Sequence, residues 1–342
     1  MPVSRLLYLV AVVTGIFSGL SCSFELKAIH PFLYAGTFTR DEDFVNGTGK
    51  CIYTFKFKTT TGSLTLWGMT LVGVNPIYIQ GTKKKFRNSA RAIYAVNSVS
   101  DHVSVDPTRT TGYISALNLK EDDALEMLNT VETYGGYPIH ISLACRELCY
   151  LSRCGRLGNK TFLHEFPVGS HVVAGRQETG HIHSTTWIPY SKHAVAANLG
   201  SVELLQYELE QKLQTLKGLR TVKRPPGWGP RHMVVYHYGN YAYVLDELSN
   251  TVGVYNIDKK SAMLVSNALA SADIHLSNEG NFLYTSNRGH NSIAIFKIKK
   301  ADGTLTSIGW ESSHGKNPLG FVFYGNWLIV ANQQSKDMHL FK

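Results

Sequence analysis

The fold is decided by Gly229-Pro-Arg-His-Met-Val-Val-Tyr236 and, after a short gap, Tyr241-Ala-Tyr-Val-Leu-Asp-Glu-Leu248. The first half reads as a strand opened by proline, the second as an apolar, β-prone strand running into acidic turn residues. Six other segments lay over 241–246: 32–37, 92–97, 148–153, 193–198, 282–287 and 327–332. Their third positions, Tyr34, Tyr94, Tyr150, Val195, Tyr243, Tyr284 and Ile329, are separated by 60, 56, 45, 48, 41 and 45 residues. Each core is followed by an alternating segment, at 51–55, 112–117, 162–166, 202–207, 251–255, 292–296 and 338–341. Most units then show a turn and a further short strand. Six cores are preceded by another strand, which four times opens on proline: Pro76, Pro138, Pro230 and Pro318. Four strands recurring at about 40–50 residues describe propeller blades. The expected fold is all-β, a seven-bladed β-propeller with four antiparallel strands per blade. A β-sandwich has shorter turn spacing and no such repeat. The sequence stops at Lys342 inside the third strand of the last unit. Either residues 24–30 fill a place in the ring or the first or last blade is incomplete.

The chain has 342 residues, 44% hydrophobic and 17% charged, which suits a globular protein with a substantial core. Residues 1–22 have a basic start carrying Arg5, continue through an apolar run and end in small residues. This is the pattern of a secretory signal peptide, with the propeller occupying 23–342. The apolar run is too short for a comfortable membrane span, so no stable span is expected after cleavage; an uncleaved anchor is the alternative. A secreted or secretory-pathway protein is the expectation. Without Cys22 four cysteines remain, Cys51, Cys145, Cys149 and Cys154, which permits two disulfides of open connectivity. Asn46-Gly-Thr and Asn159-Lys-Thr are glycosylation sequons.

A net charge of +9, about +8 without Arg5, favours anionic partners. The densest basic run, Lys83-Lys-Lys-Phe-Arg87, is confined to one inter-strand loop, and no nucleic-acid groove is expected. The outer faces offer no other sign of glycan binding or protein docking. The sequence has no G-x-S-x-G elbow, P-loop, G-x-G-x-x-G or H-E-x-x-H. His181 and His183 alternate on one strand, and the three clustered cysteines lack a C-x-x-C pair, so neither a metal nor a cofactor is expected.

In a propeller, equivalent strand ends of successive blades converge around a channel. At the entry of the inner strands stand His140, His183, Arg231, His232, Asp273 and His275; at the ends of the second strands stand Arg153, Glu247, Arg288 and Gln333. Burying such groups is costly unless they pair or meet a ligand. Asn97, Asn198 and Asn332 fit simple inter-blade hydrogen bonds. Arg231, Glu247 and Arg288 together make an anion receptor, because guanidiniums hold carboxylate or phosphate in a bidentate fork.

Gly229-Pro-Arg-His, Ser286-Asn-Arg-Gly-His-Asn-Ser and Asn317-Pro-Leu-Gly resemble the seven-bladed lactonase family, which includes 6-phosphogluconolactonases and carboxy-cis,cis-muconate cyclases. The resemblance is strong over 180–333 and traceable over 32–169. It implies an active site of His183, Arg231, Glu247 and Arg288, and the neighbouring strand-end residues His232, Asp273, His275 and Gln333 are expected to bind the substrate. It implies a small anionic substrate, a sugar lactone or a dicarboxylate. In that reading Glu247 activates water, His183 carries the proton, and the arginines hold the substrate and the developing oxyanion. Leu319 replaces an arginine common in the family, the Pro-Asp-Gly turns are lost, and a leader is unusual for a cytosolic sugar-phosphate enzyme. A secreted, non-catalytic binding propeller is the alternative.

Overall fold

A computed structural model of the chain describes residues 16–17, 31–42, 45–82, 91–108, 110–120, 122–143, 149–153, 156–159, 162–210, 212, 215–236, 240–258, 264–267 and 273–342. For 16–17, 91, 149–153, 156–159, 162–163 and 264–267 it describes the backbone only. The leader expected at 1–22 lies outside these residues except Ile16–Phe17. Residues 24–30, Lys83–Arg87, Cys145, Cys154 and the side chains of Cys149, Arg153 and Asn159 lie outside them too.

The described strands form seven antiparallel sheets, six of four strands and one of three, and no helix occurs among the described residues. The first sheet holds Ile16–Phe17, Phe32–Ala35, Ile52–Lys58 and Ser63–Thr70. The second holds Pro76–Gly81, Arg91–Val103, Thr110–Leu119 and Leu125–Glu132; the third, Pro138–Leu143, Cys149–Arg153, Arg156–Asn159 and Phe162–Glu165. Ile182–Trp187, His193–Asn198, Glu203–Glu210 and Thr215–Lys223 make the fourth. Pro230–Val235, Tyr241–Asp246, Thr251–Ile257 and Leu264–Asn267 make the fifth. The sixth is Asp273–Leu276, Phe282–Asn287, Ser292–Ile298 and Leu305–Ser312, and the three-stranded seventh is Pro318–Tyr324, Trp327–Asn332 and Asp337–Phe341.

The repeat read from the sequence is thus a repeat of sheets. Four of its cores, 193–198, 241–246, 282–287 and 327–332, coincide with whole strands. All four prolines open an edge strand of their sheet, where the missing N–H costs no ladder bond. The third sheet differs from expectation. Arg156–Asn159 pairs with the core strand, and Phe162–Glu165 moves to the outer edge. Arg-Leu-Gly-Asn carries turn residues rather than β-prone ones, so tertiary pairing overrides propensity there.

The chain divides into two compact units. One comprises Met1–Val99, Tyr113–Glu132 and Ser313–Lys342 and so holds the first, most of the second, and the seventh sheet. In it Leu33, Tyr53, Phe55 and Phe57 share a core with Ile329 and Ala331, and Trp327 Nε1 donates to the Thr59 carbonyl at 2.8 Å. Cys51 sits in this core as a free buried thiol, raised to about 11 by burial. It is unpaired in this structure, while the side chains of Cys145, Cys149 and Cys154 lie outside the described residues. The other unit, Ser100–Gly112 and Thr133–Ser312, holds the third to sixth sheets. There Val195, Ala197 and Leu204 pack on Met233, Ala242 and Val244, while Tyr243, Leu245 and Val252 pack on Ile274 and Leu283. Each fully buried side chain of this size contributes about 1.5–3 kcal/mol. These apolar sheet faces hold the strand ends that carry the polar groups.

Candidate active site

A β-bulge places two of the expected residues. Along the fifth sheet Pro230 pairs with Asp246 but His232 pairs with Leu245, so Arg231 is an extra residue in its strand. In the fourth sheet Ile182 pairs with Asn198 and Ser184 with Ala197, which makes His183 the extra residue. Such bulges re-aim a side chain out of the strict alternation of a ladder.

Arg231 turns onto Glu247. Its Nε donates to Glu247 Oε2 at 2.9 Å, with only 9% and 7% of the two side chains exposed. Arg288 Nη2 donates to Glu247 Oε1, and Arg176 Nη2 donates to the same oxygen at 2.9 Å. Arg288 and Arg176 remain 31% and 44% exposed, so the cluster is closed below and open above. Burial alone would raise the Glu247 carboxyl; the charges of Arg231, Arg288 and Arg176 outweigh it and hold the group well below the usual carboxylate range. Burial lowers the Arg231 guanidinium, with Glu247 opposing, yet an arginine stays charged. The turn carrying Glu247 is held by backbone bonds from Glu247 N to the Gly229 carbonyl at 2.8 Å and from Leu248 N to the Trp228 carbonyl at 3.0 Å. Gly229 has φ +70°, and a β-carbon there would lie 2.9 Å from the Leu248 side chain, so only glycine fits. Next to Glu247, Asp246 is buried on Arg224, whose guanidinium also donates to the Tyr255 hydroxyl.

Beside the arginines lies a row of imidazoles. His232 is 5.1 Å from His183 and 6.0 Å from His140 between ring centroids. His232 Nδ1 donates to Asp273 Oδ1 at 3.1 Å, and its Nε2 accepts from Arg231 Nη1 at 3.4 Å, which defines the neutral tautomer. His275 Nε2 reaches Asp273 Oδ2 at 3.4 Å. Burial would raise Asp273, but the charge of His275 and the hydrogen bond from His232 hold it well below its usual value. Burial lowers His140, His183 and His232, reinforced in His183 by Arg231 and in His140 by His232. His140 Nδ1 accepts from Thr185 N at 3.4 Å. No described residue hydrogen-bonds His183, and its Nδ1 is buried without a partner. At neutral pH His183 is a free base with an uncommitted ring.

The expected residues His183, Arg231, His232, Glu247, Asp273, His275 and Arg288 thus come together in one compact unit. Gln333 belongs to the other unit, where it accepts from Asn317 Nδ2 at 2.7 Å and lines a cavity of about 290 Å³ with Val45, Asn46 and Lys336. Asn97, Asn198 and Asn332 bond to backbone, at the Val72 carbonyl, His181 N and the Ser313 carbonyl. His181 turns to Thr179 rather than towards His183. Among the described residues no group of three or more His, Cys, Asp or Glu could hold a metal ion.

The family model described as lactonase, 7-bladed beta-propeller, matches residues 32–342. The chain belongs to this family. Its seven sheets are the blades of a seven-bladed β-propeller. The chain is 28% identical over 341 residues to a protein of Formosa agariphila named 6-phosphogluconolactonase, covering 91% of this chain and 92% of the relative. A protein of Bacillus subtilis bearing the same name is 28% identical over 340 residues, with 90% of each chain covered. The periplasmic gluconolactonase of Pseudomonas aeruginosa shares the fold with a TM-score of 0.78 at 23% identity, covering 90% of this chain and 91% of that one.

Sequence reasoning missed Arg176, the third guanidinium on Glu247. It stands on the loop between the third and fourth blades, in Gly175-Arg-Gln-Glu, which belongs to no strand core. Its neighbour Gln177 is fully buried and pins the loop. Gln177 Oε1 accepts from Ser170 Oγ at 3.0 Å and Val173 N at 3.2 Å, and its Nε2 donates to the Leu199 carbonyl at 2.9 Å. A long polar loop between two blades was the available signal, since functional groups gather on loops held by a rigid scaffold.

Proposed function

We propose that the protein hydrolyses an anionic sugar lactone such as 6-phosphogluconolactone at the His183–Arg231–Glu247–Arg288 site. The observation that carries this reading is a carboxylate gripped by three guanidiniums beside a neutral histidine with no hydrogen-bond partner. The names of the relatives, 6-phosphogluconolactonase in both, agree with it.

In this reading the base is His183 and not Glu247. A carboxylate held far below its usual range, with both oxygens engaged, is a poor proton acceptor. Glu247 instead fixes the guanidiniums. Water attacks the lactone carbonyl carbon while His183 takes its proton. The tetrahedral oxyanion is met by Arg231 and Arg288, preorganised donors with little reorganisation left to make. When the oxyanion collapses, the ring C–O bond breaks and the proton on His183 passes to the leaving oxygen, giving the open hydroxy acid. A muconate-type lactone would place a carboxylate on the same arginines. Export through a leader at 1–22 belongs to this reading and is checked by N-terminal sequencing of the mature protein. Among the described residues no helix is long and apolar enough to cross a membrane.

The test is hydrolysis of 6-phosphogluconolactone, gluconolactone and a muconolactone by purified protein, beside His183→Gln. Turnover that falls on the order of 10²-fold or more in the variant supports the reading, since positioned acid–base catalysis is worth about 10²–10⁴. A folded wild type that turns over none of the three would favour the non-catalytic binding propeller, for which the fully satisfied Glu247 is the favouring observation.

A further inference from the structure

Above the buried Arg231–Glu247 pair, two guanidiniums meet on one carboxylate oxygen. Arg288 and Arg176 both give Nη2 to Glu247 Oε1, and both side chains stay partly open to solvent. Each has committed one nitrogen of its fork to Glu247, and among the described residues Arg176 makes side-chain bonds to Glu247 alone. A guanidinium has five N–H donors, so most of those on the part-exposed Arg176 are left for a ligand. Three guanidiniums against one carboxylate leave two positive charges in the group. Asp273, the other anion nearby, is taken up by His232 and His275. Like charges held this close repel one another, and a bound anion relieves that cost. A monocarboxylate would offset half of the excess; a phosphate monoester, carrying about −1.5 to −2 at neutral pH, offsets it almost fully.

The loop is built to hold Arg176 still. Besides the three Gln177 side-chain bonds, backbone bonds tie His171 N to the Gln177 carbonyl at 2.9 Å, Gly169 N to the Glu178 carbonyl at 3.1 Å and Gly180 N to the Phe166 carbonyl at 2.9 Å. An exposed arginine on such a loop loses little conformational freedom when it binds, and preorganisation of this kind raises affinity.

We infer that Arg176 is a specificity-determining residue: its outward donors bind the phosphate of a phosphorylated lactone, and with Arg288 they make the protein prefer that lactone over the uncharged one. This rests on the lactonase reading above. Arg176 touches the substrate's remote anionic group and not the reacting carbonyl, so it acts on discrimination more than on the chemical step.

The experiment measures kcat/KM for 6-phosphogluconolactone and for gluconolactone in wild type, Arg176→Ala and Arg176→Lys, with calorimetric titration of 6-phosphogluconate and gluconate into each. Arg176 is half exposed, so the variants retain the fold, and circular dichroism checks it. The ratio of the two kcat/KM values is expected to fall about 10- to 100-fold in Arg176→Ala, the worth of one or two charge-assisted hydrogen bonds. Arg176→Lys should restore part of it, keeping the charge without the fork. Equal losses on both lactones would assign Arg176 to support of Glu247 alone and overturn the inference, as would a ratio unchanged from wild type. If folded wild type hydrolyses neither lactone, the lactonase reading fails and the titrations decide. A preference for 6-phosphogluconate over gluconate that Arg176→Ala loses upholds the role of Arg176. The absence of that preference, or its survival in the variant, ends it.

Discussion

The fifth and seventh blades are built on one plan and filled differently. Both inner strands open on proline, Pro230 and Pro318, and both bulge at the next residue, because Pro318 pairs with Asn332 and Gly320 with Ala331 just as Pro230 and His232 pair with Asp246 and Leu245. Both second strands end in the same turn. Gln333 N and Gln334 N donate to the Asn317 and Lys316 carbonyls at 2.9 and 3.0 Å, as Glu247 N and Leu248 N do to Gly229 and Trp228. At the bulge the fifth blade has Arg231 and the seventh has Leu319; after the strand the fifth has Glu247 and the seventh its isostere Gln333. The second blade repeats the bulge with Ile77, between Pro76 paired to Asn97 and Tyr78 paired to Val96. The bulge is therefore a property of the scaffold, and chemistry depends on which side chain it lifts. In the fifth blade that side chain is charged and meets a carboxylate. In the seventh it is apolar, and Gln333 satisfies itself on Asn317.

The comparison can be broken most severely by giving the fifth blade the seventh's residue. In Glu247→Gln the buried Arg231 loses its counter-charge, and breaking such a pair costs about 3–5 kcal/mol. Thermal denaturation should show this, and lactone turnover should fall on the order of 10²–10³-fold as the oxyanion donors lose their alignment. Acid should act on the histidine row of the third to fifth blades in the same direction but gradually. His140, His183 and His232 have folded values depressed from 6.5, so their contribution to stability is complete above that value and is lost as pH falls through the lower folded values. Glu247 and Asp273, also depressed, add a second loss below 4.5 and 3.8. Urea unfolding at stepped pH should show stability declining from about 6.5 downward, while kcat/KM keeps its neutral-pH value to below 6.5 because His183 stays unprotonated there. A smaller loss is expected from Gln177→Leu, which strands the Ser170, Val173 and Leu199 partners at about 1–3 kcal/mol in all and should raise exchange of the Gly169–Gly180 amides with deuterium. The least effect is expected from Leu319→Arg. It restores a charge at the seventh blade's bulge, but Gln333 offers it no carboxylate, so turnover should stay within about twofold and stability within about 1 kcal/mol.

Much of this plan was legible along the chain. The strand cores 193–198, 241–246, 282–287 and 327–332 could be read because each is a run of apolar residues closed by a short polar one, a local signal that the ladder then uses unchanged. Glu247 and Arg288 were legible for the same reason, as charged residues standing just past such a core. The third blade was not: Arg156–Asn159 pairs despite turn-forming residues, because neighbouring strands supply its partners. Arg176 was marked only by its long polar loop, which has no periodicity, and its place depends on Gln177 reaching the Leu199 carbonyl.

The sequence by itself determined the repeat, the number of blades and the identity of most charged groups at the strand ends, because periodicity and composition are local properties. Only the tertiary structure decided that Arg231 and His183 are bulged residues, that Glu247 is a counter-ion held by three arginines, and that Cys51 is a buried thiol. Register, burial and the charge a group carries depend on neighbours tens of residues away, and those neighbours are known only once the sheets have packed.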